Sequence, residues 1–430
     1  MTEPLIISYE HYDGFINGVI PLTDPCELTF FKKKRNKTVR ILHLYKKDNV
    51  NHKLELTYFV GVDWIVEEKQ AIYVEPKINQ SDCQTNYLNM LFCALRHPEV
   101  AQHTDDLFEI KWNKKQISIT QKQDLLTPLL VVQFLAIVKQ MVRKGLKKSY
   151  YKVEQNLYGR VKGKVIVAAT IKRNAFKNKP LNTWCSYDEF GLNGLENRLI
   201  KKALIFVQRF LPTYPHLNAE QYLEQMMGYI MPAFETVSDE VNIHDILHTK
   251  TNPFYKEYKE GIKLAKLILN RFGYNITNTQ NDVILTPPFW IDMSKLFELY
   301  VLGLLKERFG NDVIYHFKTN GNELDYLLKV DNGYKMVVDA KYKPIYQEDR
   351  SWDIENVRQI SGYARLIPVY EKLFGTYEEE DPKVIDCLII YPEALSTPDE
   401  KIPPLPENLK SDIITPFSRF YKMAVKIPVV

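Results

Sequence analysis

The chain has 430 residues, 45% apolar and 12% aromatic, with 26% charged residues and a formal net charge of +4. That balance excludes a disordered or low-complexity protein and fits a soluble chain of two or three domains. The five cysteines (Cys26, Cys83, Cys93, Cys185 and Cys387) are dispersed and form no CxxC or zinc-type spacing. This excludes a disulfide framework and points to reduced thiols in a cytoplasm. No signal peptide is expected, because the opening Met-Thr-Glu-Pro does not lead from a basic stretch into an apolar run. Leu125 to Val138, interrupted by Thr127, Pro128 and Gln133, is too short for a bilayer span of roughly 20 apolar residues, so no membrane contact is expected.

Residues 1–120 read as a β-rich N-terminal domain. Thr38–Tyr45, Leu54–Val60 and Ala71–Val74 are dense in β-branched and aromatic residues. Asn86–Leu95 is a short helix candidate, and Ile110–Ile119, with Asn113-Lys114-Lys115 at its centre, is a hairpin candidate. A basic cluster, Lys32-Lys33-Lys34-Arg35 with Lys37, lies near the start.

Residues 121–280 read as a mainly helical basic region. Leu129–Arg143 runs without a breaker until Gly145, with Pro128 suited to an early helical position. Leu195–Phe210, Ala219–Met226 and Tyr255–Arg271 are further helices, and Tyr158–Thr170 reads as an extended basic segment. Between Lys139 and Pro180 stand 13 Lys/Arg and one acid, Glu154, so this segment carries +12 and the remainder of the chain −8. Such a concentration attracts phosphates or an acidic protein partner, and it also fits a solvated basic face.

Residues 281–430 read as an α/β domain that begins after Pro287-Pro288. Met293, Leu296, Phe297, Tyr300, Val301, Leu304 and Leu305 form one apolar face of a helix from Asp292 to Arg308, with Asp292 or Ser294 as N-cap. Two β-prone runs then flank Asp331-Asn332-Gly333, a hairpin signal. With a three-residue loop and Gly333 in the left-handed region, the numbers of paired residues sum to 664. Asp325 then faces Asp339, and strand alternation turns Asp339 and Lys341 to one side.

Two adjacent carboxylates repel each other and are costly without a cation between them. An oxygen set with open positions suits Mg²⁺, or Mn²⁺. A bound metal polarises a phosphate and acidifies water, and a neighbouring lysine stabilises charge on a phosphoryl oxygen. These are the parts of a phosphodiester hydrolase. Acid-x-Lys triplets also occur at Glu67, Glu75, Glu257 and Asp381. Only Asp339-Ala340-Lys341 ends an apolar β run, Met336-Val337-Val338, with an acid at the cross-strand position.

The pattern resembles the PD-(D/E)xK nuclease superfamily. The resemblance implies Asp325, Asp339 and Lys341 as catalytic residues, with Asp325, Asp339 and the Ala340 carbonyl holding the metal. Gln359 and Tyr363 fit a Q-x-x-x-Y element, and Glu298 resembles an accessory acid of some members. Their plainer reading is an amphipathic helix with a satisfied Gln, a core Tyr and a solvated helix-face Glu. Leu157–Val165, Cys185–Phe190 and Glu196-Asn197-Arg198-Leu199-Ile200-Lys201, followed by Val338–Tyr342, Gln359–Tyr363 and Leu388–Pro392, are similar in order to the McrC family. That family implies the nuclease subunit of a restriction system for modified cytosine, acting in the cytoplasm on double-stranded DNA. Its partner is an AAA+ GTPase oligomer of the McrB type. The partner binds GTP and this chain stimulates its hydrolysis. Cutting both strands needs two active sites, which fits a twofold arrangement of complexes. The N-terminal part of the chain is implied to enter the partner's ring.

No nucleotide site is expected in the chain itself. Gly159 to Gly163 has three intervening residues where a P-loop has four, and Val165 replaces the Ser/Thr after Lys164. Arg160, Lys162 and Lys164 instead alternate on an expected strand as a basic edge for DNA or partner contact. Two other readings stand beside the nuclease: a non-catalytic adaptor that activates the GTPase, and a RecB-like repair exonuclease.

Overall fold

Two tight turns fold residues 313–340 into a three-stranded meander. The first is Asn320-Gly321, both residues at positive φ (47° and 76°), which suits a two-residue hairpin whose turn follows the strand twist. It joins strands Val313–Thr319 and Asn322–Lys329. The second, at residues 331–333, leads into strand Lys335–Ala340. Strands Asp386–Ala394, Phe420–Ile427 and Asp412–Ile413 complete a six-stranded sheet. Its central pairings, 335–340 with 386–394 and 386–394 with 420–427, are parallel. A parallel return needs a crossover, and helices Ile354–Tyr363 and Ile367–Phe374 lie in it. Val357, Ile360, Val369 and Leu373 from these helices share a core with Leu324, Leu327, Val337 and Ile389 of the sheet.

This computed structural model describes the chain except residues 1–4, 18–26, 35–36, 47–50, 78–83, 98, 105, 121–122, 211–219, 242–255, 276–282, 332, 344–351, 381–382, 395–401 and 430. It divides into two compact units, residues 1–132 with 275–430, and residues 133–274. The segments expected as separate domains at 1–120 and 281–430 thus form one unit. Strand Phe289–Asp292 is the reason, because it inserts between Phe59–Val66 and Phe108–Ile110 in a five-stranded sheet. The expected hairpin over 110–119 does not form. Phe108–Ile110 pairs with Phe289–Asp292, and Ile117–Thr120 pairs with Val283–Thr286, on either side of Pro287-Pro288. A separate four-stranded antiparallel sheet orders Asp13–Asn17, Asn51–Leu56, Lys37–Lys46 and Glu27–Lys34. Lys32, counted in the basic cluster, is buried there and donates to the Asp106 carbonyl at 2.6 Å. Arg35 lies outside the described residues.

Helix Met293–Phe309 starts as expected, with the Asp292 carboxylate accepting from Lys295 N–H at 2.9 Å. Its apolar pattern predicts one buried face. The helix instead buries nearly every residue from Leu296 to Lys306, the mark of a helix covered all round. One cover is helix Tyr87–Leu95, capped by Asn86. At Gly303 a Cβ would lie 2.8 Å from Ala94 Cα, so only glycine permits this approach.

In residues 133–274 the mainly helical expectation holds for Leu195–Phe210, Glu220–Ile230 and Lys256–Asn275. It misses a three-stranded sheet of Ser149–Tyr158, Asn182–Gly191 and Lys164–Val165. Tyr158–Thr170 is not one extended segment. It holds a loop, a two-residue strand and the start of helix Val167–Arg173. Asn197 is buried, donating to the carbonyls of Lys147 (2.9 Å) and Leu192 (2.7 Å) and accepting from Tyr258 OH (2.7 Å). Lys201 donates to the Glu235 carbonyl at 3.3 Å, and Arg198 to that of Glu240 at 3.4 Å. The N-R-x-x-K segment therefore works as internal scaffolding. Helix Leu126–Lys144 is long and apolar enough to cross a membrane, but most of it is buried in the protein, as in a core helix. Cys93, Cys185 and Cys387 are free and buried.

Candidate active site

The hairpin register is the one expected. Tyr326 pairs with Val338, Leu327 with Val337 and Leu328 with Met336, and Val330 N–H donates to the Tyr334 carbonyl at 2.9 Å. One step further, Asp325 stands opposite Asp339, and its Oδ2 accepts from Ala340 N–H at 3.0 Å. The expected left-handed turn at Gly333 rests on Asn332, which lies outside the described residues. A Cβ at Gly333 would lie 3.0 Å from Val330 Cγ1, so the position is tight.

Asp339 is the penultimate residue of strand Lys335–Ala340, which is buried from Met336 onward. Lys341 follows it, with its backbone tied to the Ile390 carbonyl at 2.8 Å. The Lys341 ammonium lies 2.7 Å from the buried Asp339 Oδ2 and pairs with it. Lys341 Nζ also reaches Gln359 Oε1 at 3.4 Å, and Gln359 Nε2 donates to Tyr363 OH at 2.7 Å. The i, i+4 pair on helix Ile354–Tyr363 thus faces the lysine, as its spacing allows. Asp353 caps that helix through Glu355 N–H and takes the Lys343 ammonium at 2.7 Å.

Glu298 also belongs to the site and is not a solvated helix-face residue, its side chain being 17% exposed. Its Oε1 meets Lys295 Nζ at 3.0 Å, His316 Nε2 at 2.7 Å and the Tyr315 hydroxyl. Burial pushes this carboxyl up, but Lys295, His316 and Tyr315 together hold it down at about 2. The two aspartates behave oppositely. Burial, then Asp339 and Glu298, drives Asp325 well above the carboxylate range, against Lys341 and Ala340 N–H. Burial also raises Asp339, with Lys341 opposing.

The arrangement thus concentrates negative charge that one lysine does not neutralise. A divalent cation fits this chemistry: all donors are oxygens, burial raises both aspartates, and Asp325 resists ionising beside Asp339. Among the described residues no group of three or more His, Cys, Asp or Glu is placed to hold a metal ion. The candidate set is then the Asp325 and Asp339 carboxylates, and an open set of this kind would suit an ion that retains several waters.

Sequence reasoning missed Lys295, Tyr315 and His316. The available signal was Asn320-Gly321, which fixes the hairpin that carries His316 back toward Asp325.

Arg160, Lys162 and Lys164 lie in the other unit and are described within it alone. They do not alternate along one strand. Arg160 and Lys162 occupy a loop between Gly159 and Gly163, both at positive φ (64° and 68°), and Lys164 opens the two-residue strand. All three are exposed. Lys162 meets Glu189 at 3.1 Å and covers the Tyr187 ring at 3.8 Å.

Fold and site together define a mixed α/β protein with a paired-carboxylate and lysine centre set into a central sheet. A family model described as the McrBC 5-methylcytosine restriction system component matches residues 54–367, and the chain belongs to that family. Two solved structures are similar to it. One is a half-complex from a tetradecameric assembly of Thermococcus gammatolerans McrB AAA+ hexamers with bound McrC, at 15% identity and TM-score 0.38, covering 98% of this chain and 94% of that one. The other is the Thermococcus gammatolerans McrBC complex, at 14% identity and TM-score 0.30, covering 70% and 87%. None of the curated proteins compared matches the chain.

Proposed function

We propose that the chain is the Mg²⁺-dependent DNA endonuclease subunit of a McrBC-type restriction system, with a PD-(D/E)xK nuclease centre built on the six-stranded sheet. The observation that carries this reading is the convergence of Asp325, Asp339 and Lys341 on one buried patch. Asp325, Asp339 and the Ala340 carbonyl would hold the metal, Mg²⁺ or Mn²⁺. When bound, it supplies Lewis-acid polarisation of a phosphate and a more acidic water. The chain's own groups do the rest. Lys341, released from Asp339, offers its ammonium to a non-bridging phosphate oxygen, where negative charge grows during hydrolysis. Gln359 holds that ammonium, Tyr363 orients Gln359, and the pair would bind water or phosphate beside the lysine. The rigid, buried strand below keeps these groups within the tolerance that hydrolysis demands.

The partner is a McrB-like AAA+ GTPase oligomer that binds GTP and selects modified double-stranded DNA. Residues 133–274 supply a docking surface suited to it. Half of the exposed large apolar side chains among the described residues fall between 150 and 190, including Tyr150, Tyr158, Phe176 and Phe190. They stand within a segment rich in Lys and Arg. Aromatic anchors ringed by charge are the composition of a protein interface. The test is DNA cleavage by Asp325→Ala, Asp339→Ala and Lys341→Ala with partner, GTP and Mg²⁺. Each should lose cutting while still stimulating GTP hydrolysis. Near-normal cutting by all three would overturn the nuclease and leave an adaptor.

A further inference from the structure

Strand Val313–Thr319 carries a backbone anomaly next to the site. His316 has φ of +52°, a left-handed conformation uncommon for non-glycine residues and costly inside a strand. The ladder pairs Tyr315 with Tyr326 and Phe317 with Leu324, and the intervening His316–Asp325 pair is missing. The departure thus falls at the register position opposite the first carboxylate of the site. In this conformation His316 lies between two glutamates, with Nε2 at 2.7 Å from Glu298 and Nδ1 at 3.0 Å from Glu323. The ring also stacks on Tyr315, with centroids 3.9 Å apart. Lys295 Nζ meets Glu298 Oε1 at 3.0 Å and Tyr315 OH at 2.5 Å.

Three donors from two elements therefore converge on one oxygen of Glu298. Lys295 comes from the same helix, Tyr315 and His316 from the strand beneath, and all three engage Oε1. The Tyr326 hydroxyl ties down the helix backbone at the same residue, donating to the Glu298 carbonyl at 2.6 Å. A lone stabilising ion pair would not require a histidine in a disfavoured backbone state. An arrangement that fixes the position and rotamer of a third carboxylate beside Asp325 and Asp339 does.

We propose that His316 is a positioning residue: with Tyr315 and Lys295 it clamps Glu298 by Oε1, so that this carboxylate would stand fixed beside the aspartate pair as an outer-shell partner of a cation bound there. The proposal rests on the metal-centre reading above and deepens it. Outer-shell partners of this kind typically change metal affinity by about 10–100-fold when removed.

The experiment measures Mn²⁺ binding to the full chain by electron paramagnetic resonance, without DNA, partner or turnover. His316→Asn is the variant of choice, since asparagine tolerates the left-handed backbone but is too short to replace Nε2 at Glu298. Mn²⁺ affinity should fall about ten-fold or more. Glu298→Gln should fall by a similar factor, and adding His316→Asn to Glu298→Gln should change little, because the histidine acts through that carboxylate. His316→Gln, which keeps a donor within reach, should recover part of the loss. Unchanged affinity in His316→Asn would overturn the clamp. So would an equal further loss in the double variant, which marks a general structural role. Asp339→Ala separates the two readings. If it abolishes Mn²⁺ binding while His316→Asn binds normally, the metal centre stands and the clamp falls. If Asp339→Ala binds normally, the centre itself is wrong.

Discussion

The six-stranded sheet around Asp339 and the three-stranded sheet at 149–191 use their apolar residues in opposite ways. In the first, Leu388, Ile389 and Ile390 are fully buried, and the candidate groups lie within two strands and just past one of them, held by backbone bonds such as Lys341 N–H to Ile390. In the second, Tyr150 and Phe190 pair across the strands with ring centroids 5.1 Å apart, yet remain 76% and 61% exposed. One sheet buries its apolar side chains to make a site rigid. The other leaves them facing outward, where isolated folding gains nothing and only a partner can bury them. On the proposed reading, chemistry and recognition therefore fall to different units of the chain.

The sharpest way to break this division is to injure each side and measure both activities. Asp339→Ala should lower cleavage by about a thousand-fold, the scale of several kcal/mol of transition-state stabilisation. GTPase stimulation should survive. Phe176→Ser with Phe190→Ser should weaken partner affinity by about thirty-fold or more, equivalent to about 2 kcal/mol at an aromatic hot spot. Stimulation and cleavage should then fall together, and saturating partner should restore both. Loss of GTPase stimulation in Asp339→Ala, or normal partner binding in the double serine variant, would dissolve the distinction.

A smaller effect tests whether the site is kept at a cost in stability. Asp325 and Asp339 have folded pKa values raised above their unfolded ones. Such a carboxyl favours folding below its unfolded pKa and loses that contribution as pH rises through the folded value. At pH 8 with a chelator present, Asp339→Asn should therefore raise the melting temperature by about a few degrees. Mg²⁺ should stabilise the parent chain and not the variant. A fall in melting temperature would mean that the Lys341 ion pair outweighs the repulsion.

These groups were legible in the sequence for a physical reason. Strand period and the 331–333 turn fix which side chains share a face, and both are local properties. The i, i+4 relation of Gln359 and Tyr363 is equally local. The failures are non-local. Ile117–Thr120 finds its partner at Val283–Thr286, beyond any window that periodicity can read. Arg160, Lys162 and Lys164 mimic strand alternation, but the glycines at both ends turn the segment into a loop. His316 was invisible because its role depends on a backbone state that its residue type does not announce.

Glu10 offers a probe within the buried side of the comparison. It is fully buried, accepts from Tyr342 OH at 3.0 Å, and burial raises its carboxyl to about 8. Its stabilising contribution is whole below about 4.5 and is lost as pH rises to about 8. Glu10→Gln should flatten the decline in melting temperature between those limits and leave the curve above pH 9 parallel to the parent's. An unchanged slope would show that water reaches the carboxylate and relieves its burial.

The smallest effect belongs to the basic loop. Arg160 and Lys164 are exposed, and Lys162 is partly engaged by Glu189 and Tyr187. Charges so placed at the rim of an interface steer encounter more than they hold the complex. Neutralising Arg160, Lys162 and Lys164 together should therefore slow association with the GTPase several-fold at low salt and alter dissociation little. The difference should fade as ionic strength rises and the Debye length shrinks. If the loop meets DNA instead, the triple variant should lower DNA affinity about equally for all sequences. Its salt dependence should also flatten, by a slope of roughly 0.9 for each phosphate that the variant no longer neutralises. Docking is favoured because Tyr158 and Val161, which flank Arg160, are strongly exposed apolar residues that a phosphate backbone would leave in water and a protein surface would cover. A salt titration of both association rates on one variant decides between them, and no change in either would reduce the loop to a solvated turn.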